Sequence, residues 1–162
     1  MEKIIDSDTK NFDVADNQSD KPRIIIVTGM SGSGKTQACR FLEDLGYFCV
    51  DNLPPILIPK FVELCAHAVN SVSHVVFVVD TRSREFFDTL IQVLEDMDKN
   101  DTDYELIFMD ASDDTIIRRY KETRRSHPMA PYARISEGVA KERKRLESVR
   151  GNFRNRTAFM SQ

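Results

Sequence analysis

Residues 24–36 read IIIVTGMSGSGKT, and this stretch decides the fold. The apolar run Ile24–Val27 predicts a buried strand, and a helical pattern begins near Gln37. A glycine-rich turn between them matches the phosphate-binding loop GxxxxGK[ST]. Glycines let several backbone N–H groups converge on one anion, and the start of the helix adds unpaired donors and the positive end of its dipole. The loop consists of Gly29, Met30, Ser31, Gly32, Ser33, Gly34, Lys35 and Thr36.

Two residues of this loop carry specific chemistry. Lys35 is expected to reach the β- and γ-phosphates of a bound nucleoside triphosphate, and the Thr36 hydroxyl is expected to ligate Mg²⁺. The alternative is a Gly/Ser-rich turn that matches by accident, which the strand before it and the helix after it disfavour. The sequence therefore predicts nucleotide binding with Mg²⁺.

Composition places the chain among globular proteins. Hydrophobic residues make up 41% and charged residues 30% of the 162 residues, which suits one domain with a proper core. No apolar run has the length of a membrane span, and the N-terminus lacks a signal pattern. We therefore expect no membrane partner. Cys39, Cys49 and Cys65 lack metal-type spacing and lie in apolar contexts, so we expect buried thiols in a reducing cytoplasm.

Charge is distributed unevenly along the chain. Residues 1–111 hold 10 Lys/Arg against 20 Asp/Glu, whereas residues 112–162 hold 13 against 6. The basic end can meet phosphates of a nucleotide or of RNA. The alternative, favoured for the final 25 residues, is a solvated helix with many (i, i+4) pairs.

Three regions follow from the composition. Residues 1–21 are acidic and poor in apolar side chains, which predicts a disordered leader. Residues 22–150 form the nucleotide-binding domain, and residues 151–162 an irregular tail. Within the domain we expect strands at 23–28, 47–50, 74–79 and 104–109, and helices at 34–45, 56–69, 84–98, from 112 or 113 past Tyr120, and 135–149. The first helix is expected to turn Ala38, Phe41, Leu42 and Leu45 toward the core.

Alternating strands and helices with short links predict an α/β fold with a parallel sheet and helices on both faces. With the loop, this is the three-layer fold of P-loop NTPases of the nucleotide-kinase type. Ligands bind such sheets at the carboxyl ends of the strands. This rule brings Gly29–Thr36, Asp51, Asp80–Ser83 and Asp110 to one rim.

Acidic residues at this rim are candidates for metal and proton chemistry. Asp80 follows a buried strand and is the preferred acid for positioning Mg²⁺, with Asp110 as its competitor. The other of the two would be a helix-capping acid. Asp51 can orient or deprotonate an acceptor hydroxyl if the protein is a kinase, or it can simply belong to an Asp-Asn-Leu-Pro turn.

Arginines gather after the fourth strand. Arg118, Arg119, Arg124 and Arg125 follow one another, and helical spacing would put Arg118 near Arg125. Lid arginines of small P-loop kinases clamp the transferred phosphate from this position. The alternative is a solvated basic helix face.

Further motifs extend the match beyond the loop. They are Val27–Thr36, Leu42–Pro54, Asp80–Ser83, Leu106–Ala111, Arg118–Tyr120 and Thr123–Pro128. Together, across residues 23–150, they resemble the RapZ/YvcJ family of bacterial nucleotide-binding proteins. The resemblance implies slow hydrolysis of ATP and GTP, an ATP loop at Gly29–Thr36 and a GTP segment formed by Asp80, Thr81, Arg82 and Ser83. One enteric branch of the family is an adapter that delivers small regulatory RNAs to an endoribonuclease.

The sequence departs from the family after Arg150. The family continues there with another strand and a C-terminal domain, to which RNA binding and metabolite sensing largely belong. Residues 151–156 show no strand pattern. We therefore expect a sheet without its last strand, an exposed edge, and either a truncated product or a domain that self-associates as a homo-oligomer.

Three functions remain at this point. The first is an ATP/GTP-binding regulatory protein with slow Mg²⁺-dependent hydrolysis, in which Lys35, Asp80 and Asp51 act catalytically. Arg82, Arg118, Arg124 and Arg125 would bind the nucleotide, and Thr36 and Asp80 the metal. The second is a small-molecule or nucleotide kinase, and the third is an RNA-binding adapter. No base-reading motif separates ATP from GTP.

Overall fold

The computed structural model describes residues 21–67, 72–80, 82, 84–153 and 157–161. Strands and helices alternate along them much as the hydrophobic pattern predicts. The leader lies outside the described residues apart from Lys21, as does the expected end of the second helix at 68–69. The elements are β1 (Arg23–Gly29), α1 (Lys35–Asp44), β2 (Phe48–Asp51), a 3-10 turn (Pro55–Leu57), α2 (Ile58–His67), β3 (His74–Val78), α3 (Arg84–Lys99), β4 (Glu105–Asp110), α4 (Asp113–Glu122), α5 (Ile135–Asn152) and β5 (Thr157–Ser161).

One parallel sheet organises these elements. Its strand order is β2-β3-β1-β4-β5, and every neighbouring pair is parallel. Ile26 of the central strand β1 faces Phe77 of β3 on one side and Leu106 of β4 on the other. The predicted α/β fold of a P-loop NTPase is confirmed, and the carboxyl ends of all strands meet at one rim.

Both faces of the sheet are covered. Side chains of β1 alternate between them, since successive residues of a strand point to opposite sides. Ile24 and Ile26 belong to a large cluster with residues of α3, α4 and α5. Ile25 and Val27 pack in a smaller cluster with Cys39 of α1. This double burial explains why the strand sequence is continuously apolar.

The last strand corrects the sequence analysis. The expectation of an irregular tail at 151–162 is wrong, because α5 continues to Asn152 and residues 157–161 form β5. β5 pairs with β4 from Leu106↔Thr157 to Asp110↔Ser161. Such a short segment has a weak strand pattern of its own, and the open edge of β4 supplies the hydrogen bonds that make it a strand. Within the described residues the sheet thus has five strands.

The first helix is rotated relative to expectation. Ala38, Cys39 and Leu42 face the sheet, whereas Phe41 is 64% and Leu45 60% exposed. Phe41 lies beside the buried stripe, and Leu45 lies beyond the last helical residue Asp44. Cys39 and Cys65 are buried as expected, whereas Cys49 is only partly buried; burial nevertheless raises the pKa of the Cys49 thiol to about 12.

Candidate functional site

The glycine-rich loop starts at Gly29, the last residue of β1, which pairs with Met109 of β4. Gly29 has φ 131°, and the Met30 N–H donates to the Met109 carbonyl at 3.0 Å. A Cβ atom on Gly29 would lie 2.0 Å from that same carbonyl oxygen. Only glycine fits here, so this residue fixes where the loop leaves the sheet.

Lys35 lies across the loop from its starting point. Its Nζ donates to the carbonyls of Gly29 and Met30, both at 2.9 Å. Burial lowers the pKa of Lys35, while the nearby carboxylates of Asp80 and Glu142 act in the opposite direction. The ammonium group is therefore held in place by two carbonyls, and neighbouring carboxylates favour its charged form.

The helix that follows begins without a side-chain cap. Its N-cap residue is Gly34, which offers no side-chain acceptor. The N–H groups of Lys35 and Thr36 fall in the first turn, where no preceding turn can accept them. These donors and the helix dipole favour an anion at this end of α1.

A cavity of about 880 Å³ opens above the loop. Its lining combines loop residues with residues that follow β3 and residues of α4. Of the predicted site residues it contains Ser31, Gly32, Gly34, Lys35, Thr36, Asp80, Arg82 and Arg125; Gln37, Arg119, Tyr120 and Thr123 complete the lining. Met30 and Ser33 are buried behind this surface, and Thr81 and Ser83 lie outside the described residues.

The two candidate acids occupy different environments. Asp80 lines the cavity, forms an ion pair with Arg82 and accepts the Arg82 N–H at 3.0 Å. Asp110 instead accepts from Arg143 at 3.0 and 3.1 Å. Among the described residues, Asp80 is thus the acid of the rim that faces the cavity, and Asp110 is committed to α5.

Asp51 lies at the exposed end of β2 and is absent from the lining of this cavity. Its carboxylate accepts the Asn52 N–H at 2.8 Å, and Asn52 has φ 58°. This is the geometry of the turn that the sequence analysis gave as the alternative. Asp51 is nevertheless close enough to Lys35 to favour its charged form.

Arginines reach the cavity in a different set from the expected one. Arg119 donates to the Gly32 carbonyl at 2.6 Å, and Arg125 lines the cavity with it. Arg118 pairs with Glu122 at 3.9 Å on an exposed face. Because α4 ends at Glu122 and Arg124 has φ 51°, helical spacing does not carry Arg118 to Arg125. Among the described residues, Arg118 and Arg124 do not line the cavity.

Two buried polar residues behind the loop, Glu142 and His127, were not predicted as site residues from the sequence. Glu142 accepts from the Ser31 N–H at 3.1 Å and from the Ser31 hydroxyl at 2.7 Å. His127, in the segment between α4 and α5, lies with its Nε2 3.2 Å from the same carboxylate. The available signal was periodicity: Glu142 falls in the buried stripe that Val139 and Leu146 form on α5, a stripe hidden by the high charge of this helix.

No helix in the described part of the chain combines the length and apolar character of a membrane span.

The order of the strands and the geometry of the glycine-rich loop together define the P-loop NTPase fold. The structure of shikimate kinase from Bacteroides thetaiotaomicron shares this fold with a TM-score of 0.50 and 19% identity, over 85% of this chain and 84% of that one. Residues 23–155 match the RapZ-like N-terminal domain, and the chain belongs to that family.

Curated relatives agree with this assignment. A nucleotide-binding protein of Clostridium perfringens (strain SM101 / Type A) is 50% identical over 133 residues, which cover 82% of this chain and 45% of the relative. One of Desulforudis audaxviator is 52% identical over 129 residues, covering 80% of this chain and 44% of the relative. The chain thus spans less than half the length of these relatives.

Proposed function

We propose that this domain binds ATP or GTP with Mg²⁺, hydrolyses it slowly, and serves as a regulatory nucleotide-binding unit. The observation that supports this most directly is the joint placement of Lys35, the uncapped start of α1 and Asp80 on one cavity. The family assignment and the names of the curated relatives point to the same ligand class.

The donor set suits a triphosphate with its metal. Lys35, Arg82, Arg119 and Arg125 place four cationic side chains around the cavity, and planar guanidinium groups suit phosphate oxygens. The Thr36 hydroxyl and the Asp80 carboxylate are the hard oxygen ligands that Mg²⁺ prefers. When bound, Mg²⁺ would neutralise charge on the β- and γ-phosphates.

Slow turnover is consistent with the position of Asp51. A base must lie within hydrogen-bond reach of the nucleophile, yet Asp51 lies outside the cavity lining and accepts from Asn52. Lys35 and the arginines can stabilise charge on the phosphates, but charge stabilisation alone does not activate water. We therefore expect the domain to act mainly by binding the nucleotide, with hydrolysis as a slow secondary reaction.

The test is Mg²⁺-dependent binding and turnover of ATP and GTP by the purified chain. Lys35→Ala is expected to weaken binding by about ten- to hundredfold, the effect of losing a charged hydrogen bond to phosphate. Lys60→Ala, on the exposed face of α2, is the matched control and should bind as the wild type does. Absence of saturable binding in the wild type, or equal binding by Lys35→Ala, would contradict the proposal.

A small-molecule kinase is the second candidate, favoured by the location of Asp51 at the same rim as Lys35. In this case an acceptor hydroxyl would lie between β2 and the cavity, with Asp51 as its base. The kinase proposal requires stoichiometric phosphate transfer to an added acceptor that Asp51→Asn abolishes. Acceptor-independent hydrolysis as the sole reaction would exclude it.

RNA binding is a third candidate, supported by basic side chains on α5. Lys141, Lys144 and Arg145 line a second cavity of about 520 Å³, and Arg145 donates to the Arg82 carbonyl at 3.3 Å beside the first. RNA affinity that falls steeply with salt and weakens on neutralising Lys141, Lys144 and Arg145 would support it. Binding that ignores salt would exclude it.

Self-association and a cytoplasmic location complete the proposal. The exposed side chains of Phe41, Leu45, Phe48 and Leu64 offer apolar surface for a second copy. All three cysteines are free thiols, as is usual in a reducing compartment.

A further inference from the structure

A fully buried carboxylate lies directly behind the phosphate-binding loop. Glu142 is 1% exposed and belongs to the buried stripe of α5, between Val139 and Leu146. An ionised carboxylate in such a place is very unfavourable unless hydrogen bonds replace its lost water. The partners of Glu142 therefore indicate why an acid occupies this position.

One residue of the loop, Ser31, supplies two of the donor groups that face this carboxylate. The Ser31 backbone N–H lies 3.1 Å from both carboxylate oxygens, and the Ser31 hydroxyl donates to Oε1 at 2.7 Å. Because this N–H points at Glu142, it is turned away from any phosphate above the loop. The conformation of the loop at Ser31 is thus set by a side chain 111 residues further along the chain.

His127 supplies the remaining donor. The Met129 N–H lies 3.2 Å from Nδ1 of His127 and must donate to it, so Nδ1 carries a lone pair and the ring proton is on Nε2. Nε2–H then donates to Oε2 of Glu142 at 3.2 Å. The imidazole is neutral in this arrangement, and Glu142 carries the negative charge of the group.

The surroundings are shaped to hold this imidazole. A Cβ atom on Gly138 of α5 would lie 2.4 Å from Nδ1 of His127, so only glycine lets the helix approach the ring. Tyr120 also packs against this ring, with ring centroids 5.0 Å apart. Tyr120 also lies next to Gly32 of the loop, so the ring that packs against His127 also packs against the phosphate-binding loop.

We infer that Glu142 is a positioning residue, which holds the phosphate-binding loop in its binding-competent shape through Ser31. This inference rests on the proposed nucleotide binding and adds a residue from α5 to it. A loop that is already ordered loses less conformational freedom when its ligand binds. The negative charge of Glu142 repels phosphate directly, while it also favours the charged form of Lys35; the contribution that we assign to the residue is the geometric one, through Ser31.

Geometry and direct repulsion of phosphate make opposite predictions for Glu142→Gln. If repulsion by the carboxylate alone mattered, removing its charge would tighten triphosphate binding. If Glu142 positions Ser31, binding weakens by about tenfold or more, because one of the two carboxylate oxygens that face Ser31 and His127 is replaced by an NH2 group, which cannot accept a hydrogen bond. The measurement is the dissociation constant for ATP and for inorganic tripolyphosphate with Mg²⁺, well below the melting temperature of each variant. Glu147→Gln, an exposed position of the same helix, is the matched control.

A double-mutant cycle separates positioning from a general loss of stability. Ser31→Ala removes one donor to Glu142 and leaves the charge in place. If Glu142 acts through Ser31, the double variant binds no more weakly than Glu142→Gln alone, whereas independent structural effects would add. Additive losses would overturn the inference.

The Ser31 amide gives a readout that does not depend on nucleotide. In the nucleotide-free protein its NMR resonance should show slow hydrogen exchange, which is lost in Glu142→Gln and kept in Glu147→Gln. Failure of the wild type to bind ATP would refute the proposed function but leave this amide test valid. Normal or tighter binding by Glu142→Gln, or an unchanged Ser31 amide, refutes the role of Glu142.

Discussion

Replacing Gly29 with alanine tests the junction between β1 and β4 most directly. The new Cβ would meet the Met109 carbonyl oxygen at 2.0 Å, and both atoms belong to backbone that the sheet holds in place. Over-packing of this kind costs about 1–3 kcal/mol, and a left-handed conformation adds about 1–2 kcal/mol for an alanine. We therefore expect Gly29→Ala to lower the free energy of unfolding by about 3 kcal/mol.

Two further glycines separate the contributions. Gly46 has φ 88°, and a Cβ atom added there would have no neighbour within 4 Å, so Gly46→Ala should cost only the conformational term, about 1 kcal/mol. Gly151 lies in α5 with open space around it, and alanine there should be neutral or stabilising by up to about 1 kcal/mol.

Thermal and urea unfolding, followed by circular dichroism, measure the series. For a chain of this size each kcal/mol shifts Tm by about 2–4 °C, so Gly29→Ala should melt about 6–12 °C below the wild type. Gly46→Ala should melt about 2–4 °C below it. Equal Tm values for Gly29→Ala and Gly46→Ala would refute the close approach of the loop to β4.

Three further substitutions probe the polar groups around the loop. Ser33→Ala removes a buried hydroxyl that has no partner among the described residues, so Tm should stay unchanged or rise; a clear fall would contradict this. Arg143→Met leaves the Asp110 carboxylate without its 3.0 Å partner and should cost about 1–3 kcal/mol in urea unfolding, whereas Asp110→Asn in the same background should recover part of that loss. Burial lowers the pKa of His127 despite the Glu142 carboxylate, so the unfolded chain takes up a proton first on acidification. The free energy of unfolding should therefore decrease as the pH is lowered from about 6.5, by at most about 1.4 kcal/mol per pH unit. Tm measured from pH 7.5 to 5 should show a shallower fall for His127→Gln, and an identical fall would disprove this assignment.

The sheet and the loop were predictable because their signals are local. Ile24–Val27 and the run before Asp80 are continuously apolar since both faces of these strands are covered. The phosphate loop has a fixed spacing between its glycines and Lys35. All residues of this motif are contiguous in the sequence, so it can be recognised without reference to any other part of the chain. Such features can be recognised before any tertiary contact is known.

β5 and the arginines depend on tertiary context. β5 becomes a strand because its backbone pairs with that of β4. The sequence of its five residues does not by itself predict a strand. Arg119 reaches the cavity and Arg118 does not. The two are adjacent in sequence, and the rotation of about 100° between them decides which one faces the cavity. Choosing between them requires knowing that Ile116 packs against the loop.

Glu142 was missed for a different reason. Charged residues are almost never fully buried unless they are paired, so an acid in a helix rich in Lys and Arg is normally assigned to solvent. The pairing that makes burial tolerable comes from Ser31 and His127, far away in sequence. The apolar spacing around Glu142 was present, but its partners became visible only in three dimensions.

Glu142 and Arg143 are consecutive residues of α5 that hold two different strand ends. Glu142 binds the loop after β1, and Arg143 binds Asp110 at the end of β4. Local unfolding of α5 would break both attachments together, so the helix and the rim should open as one cooperative unit. Opening of α5 would therefore remove the Glu142 contact from the loop, and a ligand that stabilises the ordered loop should raise the free energy of opening a helix it does not touch.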